Sequence, residues 1–180
     1  AVFRRWLSRG GLLWIWLTWG QPFSALAHPM PESMVWVDTD AQGLHLTLRL
    51  PLNRLEYGFG QPLADAPDTV LPRLEVPLSR YLLQHIGARS GGQSWQVLRP
   101  RLSVQGHDAS AELEAQLRLQ APPGADVRHV ELLYDVITHE VHTHRVQVFL
   151  RNDWAGGVVG GVPALLGLLD TQHRGLALDL

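Results

Sequence analysis

The stretch DVITHEVHTHRVQVFL places three histidines, His139, His142 and His144, within six residues. Imidazole nitrogens are common ligands of zinc, nickel and copper, so this cluster is of a type that can bind a divalent metal ion. The segment alternates apolar and polar residues as a strand does. On a strand, His142 and His144 share one face and His139 lies on the other. We therefore predict His142 and His144 as the first pair of metal ligands, with His139 as a further candidate.

The same histidines have a second interpretation, as polar side chains that cap a turn or hydrogen-bond across a sheet edge. A His-x-His pair supplies only two ligands, so a metal site needs a third from elsewhere in the fold. Asp135, Glu140 and His28 are the candidates for it. Neutral imidazoles would bind the ion, so affinity should fall as the pH drops through about 6.5, the ordinary histidine range. Nickel, copper and zinc all stay open as the metal.

The sequence gives no residues that favour an enzyme. HEVHTH is not the HExxH motif of zinc peptidases, because Thr143 stands where the second histidine is needed and the segment alternates like a strand. RNDWAGGVVGGVP lacks the Lys-Ser/Thr ending of a phosphate-binding loop, and no serine has a nucleophile-elbow context. The chain has no cysteine, which excludes thiol nucleophiles and thiolate ligands. We expect no enzymatic activity.

Residues 1–27 have the organisation of a secretory signal peptide. Three arginines in the first nine residues precede the apolar run GLLWIWLTWG, and Ala25 and Ala27 predict cleavage before His28. The run is shorter than the roughly 20 residues of a membrane-spanning helix. An uncleaved anchor is the alternative. After cleavage, the amine and the imidazole of His28 could chelate copper together, as in a histidine brace.

Residues 28–180 form an acidic unit of the size of one domain. Three of the 15 basic residues and none of the 17 acidic ones lie in the first 27 residues, which leaves 12 basic and 17 acidic residues and a net charge of −5 with histidine neutral. Proteins that bind nucleic acid need a basic surface, so we expect no nucleic-acid partner. An exported domain without disulfides must be stabilised by core packing, which a chain of this length can provide.

The alternation of apolar and polar residues predicts a mainly β fold. MVWVDTD and LHLTLRLPL, joined by AQG, are predicted as a hairpin whose leucines share one face. Residues 58–73 are predicted as an irregular connection, and VPLSRYLLQHIG (76–87) as one short helix. ASAELEAQLRLQ is predicted as a strand from its alternation, although its composition suits a helix. Six or seven strands separated by turns predict an antiparallel immunoglobulin-like β-sandwich over residues 28–180.

Two parts of the sequence resemble a known family. They are the signal peptide ending in AHPMPES with the hairpin that leads to LPLNRLEYGFG, and the run LLYDVITHEVHTHRVQVFLRNDWAGGVVGGVPALLG. Over roughly residues 20–180 the chain resembles the exported N-terminal region of HupE/UreJ-like membrane proteins. The resemblance implies an extracytoplasmic domain, tethered at the periplasmic face of the inner membrane, in front of a permease-like domain linked to the supply of nickel or another metal.

The chain begins with Ala, and RGLALDL ends in mid-alternation, which predicts a longer product. The family resemblance implies that this product continues into a C-terminal membrane domain. The expected partners are that membrane domain or a separate membrane protein, together with a metal ion. One alternative is a metal-free interaction module that docks on a membrane partner through the sandwich edge or the Trp154-containing loop (residues 152–163). Another is a copper-brace protein that acts alone through His28.

Overall fold

The computed structural model describes residues 32–180, so the predicted signal peptide and His28 lie outside the described residues. The described chain is mainly β and contains two sheets, as the alternation predicts. In chain order its elements are β1 (Ser33–Asp40), β2 (Gly43–Pro51), α1 (Leu52–Phe59), a 3-10 turn (Pro67–Thr69), α2 (Val70–His85), β3 (Ile86–Ser90), β4 (Gln93–Ser94), β5 (Gln96–Val97), β6 (Arg101–Gln105), β7 (Glu112–Gln120), β8 (His129–Tyr134), β9 (Val146–Asp153), β10 (Ala164–Leu169) and β11 (Gly175–Asp179).

The larger sheet has the strand order β10-β9-β1-β2-β7-β5, and β6 also pairs with β7. The predicted hairpin is confirmed, since β1 and β2 pair antiparallel with Val37 opposite Leu46. The four alternating leucines of β2 are buried, as expected for a strand with one face on the core. Every strand pair of the described chain is antiparallel except β1 and β9, which run parallel. The expected antiparallel arrangement therefore has one exception.

The smaller sheet has the order β11-β8-β3-β4, and residues of both sheets and both helices contribute to one hydrophobic core. The strand prediction for ASAELEAQLRLQ is confirmed in β7, where Leu113, Leu117 and Leu119 are buried. Alternation predicts this segment better than helix propensity does, because burying one face of a sheet requires a period of two.

The helices differ from the prediction. Helix α2 begins at Val70, inside the segment predicted as irregular, and Pro77 lies within it rather than near its start. Its buried face includes Leu74, Leu78 and Leu82, which follow helical spacing. Helix α1 was not predicted, and it ends at Phe59, just before Gly60, which has a φ of 81°. Within residues 32–180, neither helix combines the length and the apolar character that crossing a bilayer requires.

The strand prediction for the histidine stretch is wrong. β8 ends at Tyr134 and β9 begins at Val146, so residues 135–145 form a loop of turns. In this loop Val136, Ile137 and Thr138 are buried in succession, which a strand with one solvent-facing side does not allow. We call residues 135–145 the histidine loop.

Candidate metal centre

The pairing of β3 with β8 brings together residues that are far apart in the sequence. The two strands are antiparallel with Ile86 opposite Tyr134, so the residue before β3 lies beside the residue after β8. These residues are His85, the last residue of α2, and Asp135, the first of the histidine loop. The backbone N–H of Asp135 donates to the carbonyl of His85 at 3.1 Å, which extends the ladder by one bond.

His85, Asp135 and His139 form a half-buried cluster, called here the His–Asp–His cluster. The Nδ1 of His85 lies 2.7 Å from Oδ1 of Asp135, and the Nδ1 of His139 lies 2.9 Å from the backbone oxygen of Asp135. The two imidazole rings stack with centroids 4.1 Å apart and planes 21° from parallel. Among residues 32–180 this is the one group of three or more potential metal ligands, with donor atoms all within 4.8 Å of one another.

The hydrogen bonds of the cluster determine which nitrogens are available to a ligand. Carboxylate and carbonyl oxygens only accept hydrogen bonds, so the Nδ1 atoms of His85 and His139 both carry the hydrogen. In each neutral ring the lone pair then belongs to Nε2, and within residues 32–180 neither Nε2 takes part in a hydrogen bond. Histidines that bind metals are oriented in this way, with one nitrogen bonded to a carboxylate or carbonyl and the other facing the ion.

A metal ion would require a small rearrangement of the two rings. A tetrahedral ion with bonds of about 2.1 Å holds its ligand nitrogens roughly 3.4 Å apart. The lone pair of each Nε2 lies in the plane of its ring, and two nearly parallel planes do not converge on one ion, so one ring must turn towards the other for both to bind. Asp135 either orients His85, as it does here, or supplies Oδ2 as a third ligand. In the second case Arg174, whose Nη1 lies 3.5 Å from that oxygen, must move aside.

Tyr81 forms one wall of the cluster. It precedes His85 by one helical turn, and its ring centroid lies 4.6 Å from that of His85 and 5.7 Å from that of His139. Its hydroxyl accepts a hydrogen bond from the backbone N–H of Ile137 at 3.0 Å. Burial raises the pKa of Tyr81 to about 12, so it remains a neutral phenol at physiological pH and acts as a wall and an anchor rather than as an anionic ligand.

Ile137 holds the histidine loop in a strained conformation. It is a buried, β-branched residue with a φ of 67°, a region that such side chains rarely adopt. Gly58 of α1 packs directly against it, because a Cβ at Gly58 would lie 2.8 Å from the Cα of Ile137 and 2.8 Å from the Tyr81 hydroxyl oxygen. The backbone bonds from His139 N to Asp135 O (3.1 Å) and from Val141 N to Ile137 O (2.9 Å) complete the turn. Strain of this kind often accompanies a functional site.

Of the predicted ligands, the structure brings His139 and the third-ligand candidate Asp135 together. His142 is exposed in the histidine loop and lies in an open depression with Arg54 and Asp170. His144 is only 3% exposed, and its Nε2 lies 2.8 Å from Ser33 Oγ. The prediction of His142 and His144 as ligands stays a prediction, but the shared strand face on which it rested is wrong.

The environment of His144 favours the neutral imidazole. Burial, with a smaller contribution from the charge of Arg54, lowers the pKa of His144 to about 4. The hydrogen bond between the side chains of Ser33 and His144 connects the start of β1 to the end of the histidine loop. The backbone N–H of Ser33 also donates to the carbonyl of Arg145, at 3.1 Å. In this structure His144 is a packed core residue.

Sequence reasoning did not identify His85 as a candidate ligand. It lies within the segment predicted as a helix (76–87), so the sequence pattern assigns its side chain to that helix. A weak signal was present, since His85 stands at a helix end immediately before a strand, where a side chain can face a neighbouring loop.

No protein-family model matches the chain, and no curated protein sequence matches it significantly.

Proposed function

We propose that this protein binds a divalent metal ion of the nickel, copper or zinc class at the His–Asp–His cluster. One observation carries the proposal: imidazoles from two separate elements stand side by side, each with Nδ1 hydrogen-bonded and Nε2 available. Imidazole with one carboxylate is a ligand set that suits these metals. The role is binding or transfer of the ion rather than catalysis, because no nucleophile or acid/base pair stands out in the sequence.

The wider setting of the proposal comes from the sequence. We propose an exported domain that lies at the periplasmic face of the inner membrane and belongs to a longer HupE/UreJ-like product with a permease-like membrane part. The signal-peptide pattern and the quoted family resemblance support this setting. We further propose that the two sheets form an immunoglobulin-like sandwich, since they share one hydrophobic core and pair almost entirely antiparallel.

Equilibrium dialysis of the 180-residue chain against nickel, copper and zinc ions separately tests the metal proposal. We expect His85→Ala and His139→Ala each to lower the affinity for the preferred ion at least tenfold, because each removes one ligand. His129→Ala is the matched control. Its Nδ1 also lies 2.8 Å from a carboxylate, that of Asp126, but the pair is exposed and stands alone.

Two results would contradict the proposal. In one, both cluster variants bind every ion as tightly as the unaltered chain. In the other, His142→Ala alone lowers the affinity while His85→Ala does not, which would return the site to the ligands predicted from the sequence.

A second candidate function is a metal-free interaction module that docks on a membrane partner. The observation in its favour is the run of exposed apolar residues that begins at Trp154. This second function does not involve the His–Asp–His cluster.

A further inference from the structure

The segment from Trp154 to Leu165, called here the apolar loop, is exposed at every one of its residues. Its sequence, WAGGVVGGVPAL, contains no charged side chain and no hydrogen-bonding side chain other than the Trp154 indole. Val162 is 94% exposed, and Val158 and Val159 are also exposed. Exposed apolar surface of this extent usually marks an interaction site.

Hydrogen bonds at its base give the apolar loop a defined shape. Asp153 and Val158 exchange two backbone hydrogen bonds of 2.7 and 2.9 Å, and the backbone N–H of Trp154 donates to the carbonyl of Thr39 at 3.0 Å. The carboxylate of Asp153 accepts bonds from the hydroxyl of Thr39 (2.7 Å) and from the N–H of Gly156 (2.9 Å). The apolar residues are therefore held outwards on an ordered polar base.

The outer face of the larger sheet continues the apolar surface. Leu165 pairs with Phe149, which in turn pairs with Trp36, so three large apolar side chains form one row across β10, β9 and β1. A shift in register between Leu165 and Gly167 keeps Leu168 on the same face as Leu165. Leu165 and Leu168 are both more than half exposed.

Two arginines lie at the base of the apolar loop. Arg128 contacts the carboxylate of Asp153 at 3.2 Å, and Arg151 pairs with Asp38. Both guanidinium-bearing side chains remain partly exposed. An apolar tip with tryptophan and arginine at its base matches the layers of a lipid surface, where aromatic rings and arginines meet the headgroups and apolar side chains enter the acyl region.

We infer that the apolar loop inserts shallowly into the interface of a lipid bilayer. A protein partner forms about ten hydrogen bonds over a typical interface, yet eleven of the twelve residues of this loop could form them only through the backbone. The acyl chains of a bilayer form no hydrogen bonds and require none from the loop. The backbone groups of the loop must stay near water or headgroups, because unpaired N–H and C=O groups are costly in the acyl core. The insertion is therefore interfacial rather than spanning.

This inference rests on the second candidate function and makes the lipid bilayer itself the membrane partner, but it is independent of the metal proposal. The apolar loop and the His–Asp–His cluster share no residue. His85→Ala should leave lipid binding unchanged, so failure of one proposal can be told from failure of the other.

Co-sedimentation of the 180-residue chain with phosphatidylcholine–phosphatidylglycerol vesicles tests the inference. We expect Val162→Asp to lower the partition coefficient at least tenfold. Val76→Asp is the control for the new charge, because Val76 of α2 is also an exposed valine (57%) but lies outside the apolar loop. It should change partition less than twofold. Residues 1–31 are the same in all these proteins, so the difference between the Val162→Asp and Val76→Asp proteins reports the effect of the position of the new charge.

Tryptophan quenching by brominated phosphatidylcholine gives a second readout. Trp154→Phe should retain vesicle binding, because the ring is still apolar, while the quenched fluorescence falls measurably below that of the unaltered chain. Unchanged partition in Val162→Asp, or unchanged quenching in Trp154→Phe, would overturn the inference. It would also be overturned if Val162→Asp abolished self-association in analytical ultracentrifugation and left vesicle binding intact, since the loop would then bind a second copy of the chain.

Discussion

The imidazole ring of His85, at the end of α2, stacks on that of His139 in the histidine loop with a centroid separation of 4.1 Å. Both rings donate through Nδ1 to oxygens of the same residue, the side-chain Oδ1 and the backbone oxygen of Asp135. One residue thus sets the tautomer of two histidines. Metal binding, the orientation of the rings and the conformation of the loop should therefore depend on one another.

Asp135→Asn should lower metal affinity by a factor of 10 to 100, the range found when a residue that orients a metal ligand is changed. The amide keeps the size of the side chain and an acceptor oxygen for Nδ1, but it loses the negative charge that makes the His85 imidazole a stronger metal ligand. Asp126→Asn is the control, because Asp126 holds only the exposed His129. Titration calorimetry with the preferred ion measures both. Equal affinities in the two variants would show that Asp135 has no orienting role.

Gly58→Ala should destabilise the protein by about 1–2 kcal/mol, because the new Cβ meets the backbone of Ile137 at 2.8 Å and overpacks the site. The better helix propensity of alanine offsets part of this loss, by about 1 kcal/mol. Gly161→Ala is the control, since no atom lies within 4 Å of a Cβ there. Urea denaturation gives the free energies of unfolding. If Gly58→Ala is as stable as the control, the contact between α1 and the histidine loop is not tight.

His144 should make stability depend on pH in a defined window. Its pKa of about 4 in the folded protein is below the ordinary value of 6.5, so the fold prefers the neutral ring. The associated stability is fully present above pH 6.5 and is lost as the pH falls towards 4. At about 1.4 kcal/mol per pKa unit, the loss is on the order of 3 kcal/mol.

The variant His144→Gln tests this dependence, because glutamine is polar but does not titrate. Its free energy of unfolding should change less between pH 7 and pH 4.5 than that of the unaltered chain, whereas His129→Gln should retain the full change. Parallel pH profiles for all three proteins would mean that His144 is not the group responsible.

Asp153→Ala should lower the free energy of unfolding by about 2 kcal/mol, since it leaves the Thr39 hydroxyl and Arg128 without their buried partner. It should also speed amide hydrogen exchange at Gly156, whose N–H the carboxylate holds. Asp65→Ala, at an exposed position, should change stability by less than 0.5 kcal/mol. Exchange rates at Gly156 that match those of the unaltered chain would show that the apolar loop is held by other contacts.

The sequence predicted β2 and β7 as strands, but it missed β3, whose first two residues were assigned to the helix predicted over 76–87. The leucines of β2 and β7 alternate with polar residues, and both segments are strands. Prediction failed where tertiary contacts decide the conformation. The histidine loop places three successive residues in the core, and its turn depends on Tyr81 and Gly58, which are distant in the sequence.

Only the local part of the candidate site was predictable from the sequence. His139 and Asp135 lie in one loop and were both named from the sequence. His85 reaches them only through the pairing of β3 with β8, a long-range contact that no local pattern reports. His142 and His144 looked equivalent in the sequence, yet burial against Ser33 separates His144 from the exposed His142.

The most direct test of the metal proposal is anomalous X-ray diffraction from crystals of the protein grown with one equivalent of zinc, recorded on both sides of the zinc absorption edge. We predict one strong anomalous peak about 2.1 Å from Nε2 of both His85 and His139. A peak at His142 or His28 with none at the His–Asp–His cluster would contradict the proposal, as would metal-free density at the cluster in crystals that contain zinc elsewhere.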